Sequence, residues 1–376
     1  MLGEATLWGM DDQAPTVEAL ALAVSVRVPV LLWGSPGTGK TSVVRALADA
    51  FGLASETVIA SIREPSDFAG LPIVAHDGGM TRVDFAPPRW AQRLVAAGSG
   101  ILFFDEISTA PPAVQAALLR VVLERTVGDL QLPRDVAVVA AANPPEQAAS
   151  GWELSAPLAN RFCHLDWTVE GRAVAEGLSG GWPSPHVPQM SSDWERWIAI
   201  ARSWVGGFLR VRPTLAVEVP EDAATAGRAW PSPRSWDMAA TLLGAAHAAG
   251  SDDLVRSLLV RGAVGQGPGI ELLTWLVEAD LPDPEIVLAD PEAFVLPERG
   301  DRAFAALSSI AAAVASNPTV ERWQQGWTIF GRAAESVLDV AAAASRPLVR
   351  CRPPGAAVPS EVYLFTDLLR DAGLLE

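Results

Sequence analysis

The chain has 376 residues, enough for two or three domains with cores of their own, and 49% of it is hydrophobic while 19% is charged. This composition excludes an intrinsically disordered chain, a collagen-like repeat and a membrane protein with many spans. The 44 acidic and 28 basic residues leave a formal charge of −16, so nucleic acid is a poor expected partner. Two widely separated cysteines, Cys163 and Cys351, indicate neither a disulfide framework nor a zinc site and favour a reducing, cytoplasmic compartment.

The first 167 residues alternate short apolar runs with amphipathic segments, a pattern typical of a parallel sheet flanked by helices. The strands are predicted at residues 28–33, 58–61, 101–104, 136–142 and 162–167. One helix is predicted to end near Phe51, before Gly52, and another to cover residues 112–124.

After Trp167, strand patterns mostly disappear and helical spacing dominates. Further helices are predicted at residues 235–249, 252–262, 269–279, 301–316, 321–344 and 360–371. The uncharged run 303–320 contains three serines, Asn317 and Pro318, which indicates a packed helix that stops at the proline and not a membrane span. The tryptophans of this half are expected to pack between helices.

A glycine-rich segment follows the first predicted strand and opens the first predicted helix. Residues 34–41 read G-S-P-G-T-G-K-T, which fits the phosphate-binding pattern G-x-x-x-x-G-K-S/T. The glycines let backbone N–H groups turn toward phosphates, Lys40 would reach the β- and γ-phosphates, and Thr41 would hold Mg²⁺. Lys40 is the only lysine of the chain, and an arginine does not replace its compact charge. The predicted nucleotide-binding residues are Gly34, Ser35, Pro36, Gly37, Thr38, Gly39, Lys40, Thr41 and Ser42.

Polar residues follow two other predicted strands. Asp105 and Glu106 come directly after four apolar residues, where Asp105 can bind Mg²⁺ and Glu106 can polarise an attacking water. Asn143 ends the next strand and could orient that water or contact the γ-phosphate; an ordinary turn before Pro144 is the alternative. A guanine-specific N-K-x-D motif cannot occur, because the only lysine is Lys40, so ATP is favoured over GTP.

These elements, in this order, resemble the AAA+ ATPases, and the finer pattern is most similar to the MoxR family of the helix-2-insert branch. The resemblance covers about residues 15–167 and a patch near 230–236. In that family, two hairpins face the central opening of a ring and handle the client protein. The segment 67–87, with a turn at Asp77-Gly78, and the segment 124–133 match those hairpins, with surface decoration as the alternative.

The resemblance also gives roles to two arginines. Residues 158–162, L-A-N-R-F, are similar to the arginine-finger motif, in which Arg161 would reach the γ-phosphate bound by the neighbouring subunit. Residues 232–236, S-P-R-S-W, are similar to the sensor-2 motif, in which Arg234 would point at the phosphates of its own subunit. The alternatives are a surface arginine and a capped helix with a solvent-facing arginine.

The resemblance implies an α/β fold class: an AAA+ P-loop core with a parallel sheet, then an all-helical lid and a helical C-terminal extension. The expected ranges are 1–170 for the nucleotide-binding core, 171–190 for a linker, 191–282 for the lid with sensor 2, and 283–376 for the extension or the remainder of the lid. The implied ligands are ATP and Mg²⁺.

The implied protein is an ATP-hydrolysing homo-hexamer that remodels a protein client as a chaperone or activator. Its expected adaptor carries a von Willebrand A-type domain. Two alternatives stay open: an ATP-dependent assembly switch with little turnover, and an ATPase that acts on DNA or a metallo-enzyme.

Overall fold

The computed structural model describes residues 14–77, 80–144, 147, 152–182 and 184–371. These residues form two compact units, each built from several stretches of chain. The first unit contains the described residues up to Gln189 together with Val217–Leu242 and Ser251–Gly269. The second contains Met190–Ala216, Leu243–Gly250 and the described residues from Ile270 onward. The domain boundaries expected from the sequence stay a prediction.

Within the described residues of the first unit, a five-stranded parallel sheet has the strand order β2-β5-β8-β1-β9. These strands are β1 (Val30–Trp33), β2 (Ala54–Ile59), β5 (Ser99–Asp105), β8 (Asp135–Ala142) and β9 (Cys163–Asp166). The helices are α1 (Ala14–Ser25), α2 (Lys40–Phe51), α3 (Ser66–Ala69), α4 (Arg89–Ala97), α5 (Pro112–Glu124), α6 (Ala156–Ala159), α7 (Gly171–Gly180), α9 (Ala223–Ala226) and α11 (Asp253–Val264).

The three central strands are apolar between their terminal residues, as expected of strands buried on both faces of a parallel sheet. The predicted α/β fold with a parallel sheet and a mainly helical remainder is confirmed. The second predicted strand overlaps the observed one only at Val58 and Ile59. As an edge strand, β2 pairs with β5 alone and exposes polar residues such as Ser55 to solvent, so its first half lacks an apolar run.

Two hairpins form sheets of their own, separate from the five-stranded sheet. Strand β3 (Leu71–Asp77) pairs with β4 (Met80–Ala86), and β6 (Thr126–Val127) pairs with β7 (Leu130–Gln131), so both predicted hairpins are present. The predicted turn at Asp77-Gly78 runs into residues 78–79, which lie outside the described residues.

The base of the first hairpin rests on the turn of the second. The carboxylate of Asp129 accepts a hydrogen bond from the Phe85 N–H at 2.6 Å, and the Asp129 N–H donates to the Phe85 carbonyl at 3.1 Å. Gly128 has a φ of 59°, and a Cβ there would stand 2.5 Å from the Phe85 carbonyl oxygen. Only glycine therefore allows this contact, which joins the two hairpins into one surface.

The second unit is helical in its described residues. Its helices are α8 (Trp194–Val211), α13 (Pro284–Ala289), α14 (Gly300–Ser316), α15 (Val320–Ala344), α16 (Arg346–Arg350) and α17 (Thr366–Asp371). Two more helices, α10 (Pro233–Ala248) and α12 (Gln266–Ala279), contribute residues to both units. Trp323 and Trp327 are buried in the core of the second unit, and the Trp323 indole N–H donates to the Leu348 carbonyl at 2.8 Å. These two tryptophans are packing residues, as expected. Across the described parts of the chain, none of the helices combines the length and the apolar character needed to cross a bilayer.

Candidate active site

The glycine-rich segment forms a loop between β1 and α2, as predicted. Gly37 and Gly39 have φ values of 77° and 83°, a region that side-chain-bearing residues rarely adopt. Gly34 is required for another reason, because a Cβ there would stand 2.4 Å from the carbonyl oxygen of Trp167. The Trp167 indole N–H in turn donates to the Thr38 carbonyl at 2.9 Å. The loop is therefore held against the residue that follows β9.

The ammonium group of Lys40 lies inside this loop. Its Nζ is 2.6 Å from the Gly34 carbonyl oxygen, 2.9 Å from that of Ser35 and 3.1 Å from Oδ1 of Asn143. Burial lowers the pKa of Lys40, and the nearby carboxylates of Asp105 and Glu106 act in the opposite direction. Lys40 is only 7% exposed. Oxygen acceptors surround its ammonium group, which lies beside the end of β8.

Thr41 and Asp105 face each other across the start of α2. The Thr41 hydroxyl donates to Oδ2 of Asp105 at 2.7 Å, and Oδ1 of Asp105 accepts from the Glu106 N–H at 3.0 Å. A hydroxyl and a carboxylate are hard oxygen donors of the kind that bind Mg²⁺ beside a nucleotide. The residues present therefore fit a magnesium ion.

Glu106 follows β5 in a left-handed backbone conformation, with φ 57° and ψ 40°. This conformation costs a non-glycine residue about 1 kcal/mol or more and is typical of sites where a side chain must be aimed. Its Oε2 accepts a hydrogen bond from the Ser61 hydroxyl at 2.5 Å. Ser61 was not predicted as a site residue, although the sequence pattern places it at the end of a strand that leads to the same part of the sheet.

Asn143 completes the group at the end of β8. Its backbone N–H donates to the Ser108 hydroxyl at 3.3 Å, while its side-chain oxygen accepts from Lys40. Lys40, Thr41, Asp105, Glu106 and Asn143 thus meet at one edge of the sheet, as the motif order predicted.

Arg161 lies at the other end of the strands, where β1 and β9 begin. It precedes β9, whose first residue, Cys163, pairs in register with Val30 at the start of β1, whereas the phosphate-binding loop follows the end of β1. Its guanidinium donates to the carbonyl of Pro157. Burial, and then the positive charge of Arg234, lower the pKa of Arg161.

Arg234 lies beside Arg161 because two contacts hold the start of α10 against the turn before β9. The Ser232 hydroxyl donates to Oδ1 of Asn160 at 2.6 Å, and the Asn160 side-chain N–H donates to the Trp230 carbonyl at 2.9 Å. The structure does not bring Arg234 to the phosphate-binding loop of its own chain, where the sensor-2 resemblance had placed it. A catalytic role for either arginine stays a prediction.

A half-buried histidine, His164 of β9, packs against Trp33 at the end of β1. Nδ1 of His164 accepts from the Trp33 indole N–H at 2.9 Å, so Nε2 carries the proton and donates to the Ala159 carbonyl at 2.9 Å. Burial lowers the pKa of His164 to about 4 from its ordinary 6.5. Protonation would replace the Trp33 contact with two facing donors.

We expect this histidine to make the folded protein less stable as the pH falls from about 6.5 to about 4. Over this window the histidine takes up a proton in the unfolded chain but not in the folded chain, so the free energy of unfolding falls as the pH falls. Above pH 6.5 both states hold the neutral histidine, and this loss of stability is absent. Between pH 7 and pH 5 the loss is about 2 kcal/mol. Urea unfolding at both pH values should show a smaller loss for His164→Gln than for the parent. The exposed control His186→Gln should behave like the parent, and equal losses in all three proteins would contradict the assignment.

The sequence comparisons define the class of this domain. Residues 29–162 match the family profile of the AAA domain, dynein-related subfamily. The sheet order and the site at its edge agree with that match. This part of the chain is an AAA domain of the dynein-related, MoxR-like type, and the resemblance drawn from the sequence is confirmed.

The chain is similar to Protein MoxR of Methylorubrum extorquens, with 36% identity over 117 residues that make up 31% of this chain and 32% of that protein. It is also similar to Protein MoxR of Paracoccus denitrificans, with 35% identity over 116 residues, 31% of this chain and 33% of that protein. The chain thus spans about a third of the length of these relatives. A crystal structure of a protein from Cytophaga hutchinsonii aligns at a TM-score of 0.41 with 18% identity, covering 68% of this chain and 82% of that one.

Proposed function

We propose that this chain hydrolyses ATP in a ring of its own copies and uses the energy to remodel a partner protein. The observation that carries hydrolysis is the meeting of Glu106 with Lys40, Thr41, Asp105 and Asn143 at one sheet edge. The AAA domain match and the similarity to Protein MoxR support the same class of activity.

The proposed chemistry is phosphoryl transfer to water. The loop N–H groups and Lys40 bind the phosphates, and Thr41 with Asp105 would hold Mg²⁺, whose charge would help to offset the negative charge of the phosphates. Once the Glu106 carboxylate has released its hydrogen bond with Ser61, it accepts the proton of the attacking water. The Asn143 side chain orients that water. Phosphoryl transfer needs little covalent help from the protein, so these residues contribute mainly position and charge.

In the proposed ring, Arg161 reaches the nucleotide of a neighbouring copy. Support comes from the strand register, since Arg161 and Arg234 lie at the edge away from the Lys40 of their own chain. A guanidinium supplied by a second chain stabilises the charge that develops on the transferred phosphoryl group. Both arginines would then complete the neighbour's site, and hydrolysis would require assembly, proposed as a hexamer.

The joined hairpins are the proposed contact with the client. Apolar side chains are exposed on both strands of the first hairpin, among them Ile73, Val74 and Val83. Exposed apolar side chains in a cluster are typical of surfaces that bind other proteins. An adaptor with a von Willebrand A-type domain remains part of the proposal and rests on the family resemblance alone.

The test of this function is the ATPase rate per subunit, measured against protein concentration with Mg²⁺ and no added partner. We expect the rate per subunit to rise steeply and then level off, because a site shared between two copies forms only on assembly. Sedimentation at the same concentrations should show a larger species over the same range. A measurable rate that does not change with concentration would contradict a shared site.

A second candidate is an ATP-dependent assembly switch with little turnover. The contact that favours it is the short hydrogen bond between Ser61 and Glu106, which occupies the carboxylate that hydrolysis would need. In that case the chain binds ATP stoichiometrically and assembles, yet its rate stays near zero at every concentration. Nucleotide binding measured beside the ATPase series separates the two functions.

A further inference from the structure

The strand order gives the phosphate-binding loop two different sides. On one side lie β8 and β5, whose ends carry Asn143, Asp105 and Glu106. These residues mark the γ-phosphate end of a bound nucleotide. On the other side lies β9. Because the nucleoside is attached at the α end of the phosphate chain, it has to leave the loop toward the end of β9.

A charged pair occupies the end of β9. Asp166, the last residue of the strand, pairs in register with Trp33, directly before the loop, and its side chain is 78% exposed. The guanidinium of Arg228 donates to Oδ1 of Asp166 at 3.2 Å and lies 4.0 Å above the centre of the Trp33 ring. The next residue, Trp167, donates its backbone N–H to the Trp33 carbonyl at 2.6 Å. The pair is thus fixed beside the phosphate-binding loop.

The segment from Arg228 to Arg234 runs along β9 from one edge of the sheet to the other. Arg228 is bound to the end of β9, whereas Trp230 and Ser232 are bound to Asn160, before its start. Arg234 is therefore carried away from the loop, and Arg228 is the arginine of this segment that stays at the chain's own site.

We infer that the nucleoside half of the nucleotide lies against the end of β9, where Asp166 and Arg228 supply its polar contacts. This inference rests on the proposed function. An ionised carboxylate accepts hydrogen bonds only, so Asp166 takes a donor of the nucleoside: a ribose hydroxyl or the exocyclic amine of adenine. Arg228 orients that carboxylate and offers a planar cation, which stacks on aromatic rings, to the base.

The test compares ADP with inorganic tripolyphosphate, a probe that occupies only the phosphate-binding loop, by calorimetric titration of the full chain. Asp166→Ala and Arg228→Ala should each weaken ADP binding about tenfold, the cost of a lost charge-assisted hydrogen bond, and leave tripolyphosphate binding within about twofold of the parent. A matched control is Asp135→Ala, because the exposed Asp135 forms a pair with Arg27, at 3.8 Å, at the opposite end of the strands of the same sheet. It should change neither affinity.

Two further nucleotides identify the donor. If Asp166 binds a ribose hydroxyl, the parent should bind 2′-deoxy-ADP about tenfold more weakly than ADP; if it binds the exocyclic amine, inosine diphosphate should show that loss. Asp166→Ala should no longer distinguish that analogue from ADP.

Unchanged ADP affinity in both variants would overturn the inference. So would an equal loss of ADP and tripolyphosphate, because the pair would then support the loop and not the nucleoside. Lys40→Ala tests the proposed function separately: if it kept both affinities, the loop itself would not be the nucleotide site.

Discussion

Replacing Glu106 with glutamine should lower the steady-state ATPase rate by about 100-fold or more, the usual contribution of a general base. ATP affinity should stay within about twofold of the parent, because the groups that hold the phosphates are unchanged. Glutamine has the shape of glutamate and can still accept the Ser61 hydrogen bond, but it cannot take a proton from water. Steady-state hydrolysis at saturating ATP and a separate binding titration give the two quantities.

The control for this variant is Glu124→Gln at the exposed end of α5, where the glutamate forms a surface pair with Arg120. It should leave both the rate and the affinity unchanged. An unchanged rate in Glu106→Gln would remove Glu106 as the base. Loss of ATP binding together with the rate would instead mean that this side chain holds the nucleotide.

The phosphate-binding loop could be predicted because all of its residues are neighbours in the sequence. Gly37 and Gly39 supply the φ values that the loop needs, and Lys40 opens the helix directly after them. Asp105, Glu106 and Asn143 could be placed near Lys40 from their strand ends alone, because parallel strands deliver their carboxyl ends to one edge. The rule works without knowledge of side-chain contacts.

The same rule could not place Arg234. Its position depends on the hydrogen bonds of Asn160 with Trp230 and Ser232, between residues about 70 positions apart in sequence, and no local pattern specifies such pairs. The order of the motifs alone predicted Arg234 at the phosphate-binding loop, at the other end of the strands. Helix α1 was missed for a local reason: its middle is buried nearly all round, so it lacks the polar face that makes a helix visible in sequence.

Replacing Arg161 with alanine should lower the rate of the assembled protein by about 1,000-fold, the contribution of an arginine supplied by a neighbouring subunit. If the site is shared between two copies, mixing two inactive variants should restore part of the ATPase rate. An Arg161→Ala chain keeps its own Glu106, and a Glu106→Gln chain keeps its own Arg161, so mixing the two inactive proteins should form some sites with both residues and restore part of the rate. Exposed Arg89→Ala is the control and should stay active alone. If the mixture stays inactive although sedimentation shows mixed assemblies, the two residues do not meet across an interface, and Arg161 stabilises its own chain.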